Sequence, residues 1–109
     1  MSRPIYRRGE TYAVTVRELL GSAANPQRDG ELDRYQIALV RAVRERLTNR
    51  EIQCMSAYYI YRQNIATTAR RLGVHPSTVS RNIHRGEVKL DKLIRLAKEI
   101  SPVHFSFTA

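Results

Sequence analysis

Residues 65–85 read IATTARRLGVHPSTVSRNIHR, and the fold turns on this stretch. Ala69 is small, as a residue must be where two helices cross closely. Leu72 closes the first helix onto a core. Gly73 is placed to supply a left-handed backbone at no steric cost. Val74 points inward from the turn, and Pro76 suits the first turn of a following helix, where its missing N–H costs nothing. Val79 and Ile83, four residues apart, form one buried stripe of that helix. Ser77, Arg81 and His84 fall on the opposite face. A pair of helices of this kind, with a polar and basic outer face, reads as a helix-turn-helix that sets its second helix in the major groove of DNA.

The pattern extends upstream. Thr48 reads as an N-cap, and Glu51, three residues later, completes a capping box. The helix that follows runs to about Tyr61, and Arg62–Asn64 turn the chain. Leu47, Thr48, Arg50, Glu51, Tyr58 and Tyr59, together with Thr78, Val79, Ser80 and Arg81, make residues 47–85 resemble region 4 of the sigma-70 family. That resemblance implies a bacterial reading head for double-stranded DNA and a role in transcription regulation, with RNA polymerase as the candidate protein partner. Thr68 stands where the family has an aliphatic residue, and Ile65 compensates from the previous turn. The 109 residues leave no room for a counterpart of sigma region 2, so a stand-alone regulator of the prophage type is expected. The alternative is a polymerase-associated sigma-like factor, or an interaction protein resembling one linked to signal-recognition-particle genes. The segment HPSTVSRNIHRG is also similar to the N-terminal helix-turn-helix of some transposases.

Charge supports a phosphate-rich partner. Residues 1–40 carry six arginines against five carboxylates, whereas residues 41–98 carry thirteen lysines and arginines against four. The net +9 of the chain thus lies on the half that holds the motif. Arg81 is the foremost base-reading residue, because its planar fork matches guanine O6 and N7. Ser77, Ser80 and His84 add weaker base contacts. Arg50, Thr67, Arg70 or Arg71, His75, Thr78, Arg85 and Lys89 are assigned to phosphates or the groove rim. One such motif reads few base pairs, so a homodimer is expected.

The rest of the chain organises around this unit. Residues 1–30 read as an N-terminal arm with a short helix near Thr15–Leu20 and a loop over GSAANPQRDG (21–30). Alternation at Tyr12, Val14 and Val16 leaves a strand open for that segment. Residues 31–100 form the helical DNA-binding domain. Leu32, Tyr35, Leu39, Ala42 and Val43 line one face of its first helix. Gly86 ends or bends the recognition helix, and Val88–Ile100 form a last amphipathic helix. Residues 101–109 are a C-terminal tail. The fold class is all-α, a small helical bundle.

Several classes are set aside. The single cysteine, Cys54, allows no disulfide within the chain and reads as a buried, inert thiol. The three histidines lack partners at metal-ligand spacing, and no Gly-rich phosphate loop occurs. No catalytic group, metal or cofactor is expected. Asp29, Glu31 and Asp33 read as caps near a helix start. Apolar runs such as IALV and YYIY are too short to cross a membrane. The N-terminus lacks a secretory pattern, so a cytoplasmic location is expected.

Overall fold

Residues 4–100 are described by a computed structural model, with side chains described from residue 12 onward. They form five α-helices and one 3₁₀ turn: α1 (Pro4–Ala23), the 3₁₀ turn (Pro26–Glu31), α2 (Arg34–Arg46), α3 (Asn49–Tyr59), α4 (Ile65–Leu72) and α5 (Pro76–Ile100). The all-α expectation holds: no strand occurs among the described residues. No helix among them is long and apolar enough to cross a membrane. The C-terminal tail assigned to 101–109 lies outside the described residues.

Local sequence fixes three of the helix starts. The Asp33 carboxylate accepts the Gln36 backbone N–H at 2.8 Å, and the Gln36 side chain accepts the Asp33 N–H at 3.0 Å. Thr48 and Glu51 make the same reciprocal pair at 2.9 and 3.1 Å, as their spacing predicts. Asn64 Oδ1 accepts the Thr67 N–H at 2.7 Å and starts α4. Each such cap stabilises its helix by about 1 kcal/mol.

Two apolar clusters hold the bundle. The larger takes Val16, Leu19, Leu20 and Ala23 from α1, Leu39, Val40 and Val43 from α2, Met55 and Tyr59 from α3, and Leu90, Leu93, Ile94 and Ala97 from α5. The smaller joins Cys54 of α3, Ala69 of α4, and Val79 and Ile83 of α5, with Ile65, Leu72 and Val74 packed around them.

The short helix expected near Thr15–Leu20 is present but longer, a twenty-residue helix over Pro4–Ala23, so the segment is neither an arm nor a strand, and its inner face is part of the main core. Arg44 locks its end. The guanidinium donates to Ser22 O at 2.9 Å, to Ala23 O at 3.0 Å, and to both Asp29 oxygens at 2.9 and 3.0 Å. These bonds give a donor to the terminal Ala23 carbonyl and a second one to Ser22 O, which also accepts the Asn25 N–H at 3.2 Å. They also tie the 3₁₀ turn, read as a loop from sequence, against α2. The Arg44 hydrogen bonds hold the Asp29 carboxyl below its ordinary range.

α5 is the second departure. It does not end at Gly86 but runs unbroken for 25 residues. Gly86 is buried, and a Cβ there would overlap Met55 Sδ and come within 3.0 Å of Met55 Cγ. The glycine answers a close approach of α3 and α5, not a turn. One residue on, Tyr59 donates its hydroxyl to buried Glu87 Oε2 at 2.5 Å. Burial and the Glu87 carboxylate push the Tyr59 hydroxyl well above its ordinary range. At the far end, the Tyr35 hydroxyl donates to Ala97 O at 2.6 Å.

Candidate nucleic-acid interface

α4 ends where its sequence says it must. Gly73 adopts φ 70 and ψ 35, the left-handed region in which a side chain is strained. The Val74 N–H then closes on Ala69 O at 3.0 Å, which satisfies a terminal carbonyl. Three residues, Gly73 to His75, join α4 to α5. His75 caps α5: its carbonyl accepts from Thr78 N at 2.9 Å and Val79 N at 3.3 Å. Its Nδ1 accepts the Ser77 N–H at 3.1 Å and lies 2.9 Å from Ser77 Oγ. His75, assigned to the rim from sequence, thus has a structural task of its own.

The two faces of α5 separate as their spacing predicts. Val79 and Ile83 are buried against Ala69, while Ser77, Arg81, His84 and Arg85 are exposed. Ser80 is half-buried, a position from which its hydroxyl reaches less far outward. Arg81 donates to Thr78 Oγ1 at 3.4 Å, a long bond that leaves most of the guanidinium fork open. Exposed Lys92 and Arg95 continue the basic stripe, with Arg95 paired to Asp91 at 3.3 Å.

The residues assigned to phosphates fall into three groups. Arg50, Arg70, Arg71 and Arg85 are exposed on α3, α4 and α5. Thr67 and Thr78 are half-buried and accept from neighbouring arginines, Thr67 Oγ1 taking a bond from Arg70 at 3.3 Å. Lys89 stands apart. Its ammonium donates to both oxygens of buried Glu51, at 2.8 and 3.1 Å. A phosphate would compete with a carboxylate already in place, so Lys89 is a tie between α5 and the start of α3.

That tie has a measurable sign. Burial pushes the Glu51 carboxyl up, but the Lys89 ammonium and the Thr48 N–H and hydroxyl together bring it below its ordinary value. The native state therefore favours the carboxylate. Its contribution is full above the ordinary carboxylate range and is lost as pH falls through the lowered native value. Lys89→Ala leaves a buried anion without its cation and should cost about 1–2 kcal/mol at neutral pH. In urea denaturation, the gap between wild type and variant should narrow in acid as Glu51 protonates. An equal gap at every pH would exclude this role.

Two residues of this surface were not singled out from sequence. Gln63 Oε1 accepts from Arg71 Nη2 at 3.2 Å and Nε at 3.4 Å, which orients that guanidinium. Arg62, exposed before α4, has φ 56, a left-handed conformation costing on the order of 1–2 kcal/mol without glycine. It lets the Gln63 N–H reach Ala57 O at 2.9 Å. Composition marks this segment as a turn but does not say which residue takes the strained conformation.

Other groups offer little chemistry. Cys54 is fully buried, and burial pushes its thiol up. Thr68, buried where an aliphatic residue was expected, donates its hydroxyl to Asn64 O at 3.1 Å and so carries no orphaned polar group. Among the described residues no cluster of His, Cys, Asp or Glu is placed to hold a metal ion. Comparison of the chain with protein-family models, curated proteins and solved structures finds no match.

Proposed function

We propose that this chain is a sequence-specific double-stranded DNA-binding transcriptional regulator, in which α4, the Gly73–His75 turn and α5 act as a helix-turn-helix of the sigma region 4 kind. The observation that carries the reading is the division of α5. Val79 and Ile83 anchor it on α4 through Ala69, and that fixes Ser77, Arg81 and His84 on an open, cationic face. In the major groove Arg81 pairs with guanine, and Ser77 and His84 add single hydrogen bonds. Ser80 is a secondary base contact. Arg50, Arg70, Arg71 and Arg85, with the Thr67 and Thr78 hydroxyls, hold phosphates and set the register. One unit spans few base pairs, so two copies on half-sites about one helical turn apart supply specificity.

The test is a site selected from random duplexes, followed by titration of variants. Arg81→Ala should cost about 1–3 kcal/mol on the selected site and little on random DNA. Arg85→Ala should weaken both about equally. Identical behaviour of the two variants on both DNAs would remove Arg81 from the base-reading role.

A further inference from the structure

The outward stripe of α5 contains one residue that its polar chemistry does not explain. Val88 is 41% exposed, between His84 and Lys92. At 3.6 residues per turn, Ser77, Arg81, His84 and Val88 lie within about 60° of one another around the helix. The other exposed apolar residues of α5, Leu96 and Ile100, are turned about a quarter-circle or more away from Val88. Neither cluster holds Val88 as a buried member, since Gly86, Glu87 and Leu90 face inward here. A β-branched residue at an exposed helical position also contributes less to the helix than Ala, Lys or Glu would.

The spacing relates Val88 to its neighbours. Arg81, His84 and Val88 stand at i, i+3 and i+7, positions from which a helix lying along the major groove meets base edges. The apolar group on the floor of that groove is the 5-methyl of thymine. Seven residues advance a helix by about 10 Å, which matches about three base-pair steps.

We propose that Val88 reads the 5-methyl group of a thymine about three base pairs from the guanine bound by Arg81. This rests on the DNA-binding reading above and adds an apolar element of sequence choice to it. Each thymine of the selected site is replaced in turn by deoxyuridine, which removes only the methyl. Affinity should fall by about fourfold at one position, the equivalent of one buried methyl-sized group. Val88→Ala should lose about the same factor on the thymine duplex and then bind thymine and uracil duplexes equally. The residue is exposed, and an unchanged melting temperature verifies the fold of the variant. Binding that is indifferent to every thymine methyl, or a Val88→Ala protein that still prefers thymine, overturns the role of Val88 and leaves DNA binding standing. A chain that binds no duplex at all overturns both.

Discussion

Raising monovalent salt from about 50 to about 200 mM should weaken binding of the chain to duplex DNA by about 500-fold. The factor follows from counterion release: neutralising about five phosphates gives a log–log slope near −4.5. Apart from base-reading Arg81 and Arg95, which pairs with Asp91, five exposed arginines lie on or near the proposed face: Arg50, Arg70, Arg71 and Arg85, assigned to phosphates, and Arg62 just before α4. Lys89 is left out because Glu51 already holds it. Titration by fluorescence anisotropy at several salt concentrations gives the slope directly. Replacing one of these arginines should reduce its magnitude by about one. A flat salt dependence would favour the alternative, in which the same fold serves as a protein-binding scaffold.

Leu20→Ala should be among the most destabilising single changes in the chain. Leu20 is fully buried, in a cluster shared with Val40, Val43 and Leu90. Truncating such a leucine removes transfer energy and leaves a cavity, at about 2–5 kcal/mol together. In a domain of this size each kcal/mol shifts melting by about 4–8 °C, so a fall of 10 °C or more is expected by circular dichroism. If the N-terminal helix were an accessory arm, the melt would barely move.

The contrast between these two regions shows what the chain makes legible. From Thr48 to Ile83 the signals are local and agree with one another. A capping box, a glycine that takes a positive φ, a proline at a helix start and an apolar pair four residues apart each predict the same break or face. α1 has no such agreement. Gly9, Thr11, Val14, Thr15 and Val16 are poor helix formers, and Tyr12, Val14 and Val16 alternate as a strand would. The helix is held instead by burial of Val16, Leu19 and Leu20 and by Arg44 at its end, contacts that exist only after folding. Gly86 misled for a related reason. Glycine within a helix reads as a break, and the Met55 side chain that requires it lies on another helix. At the proposed interface, charge and spacing identified exposed Arg81 and Arg85. They did not separate Lys89, bound to a carboxylate 38 residues away, from the arginines that remain open.

Because α5 runs unbroken through both clusters, its aim is a property of the whole bundle. The half that carries Arg81 is seated on α4, and the half that carries Leu93 and Ala97 is seated on α1 and α2. A continuous helix seated at both ends does not tilt at one without moving at the other, and between the two seats Gly86 lies against Met55. The direction in which Arg81 points is therefore set partly by contacts about 24 Å further along the helix, such as the Tyr35 hydroxyl on Ala97 O. Sequence drift in α1 or α2 can then re-sight the outward face while leaving every residue on it unchanged.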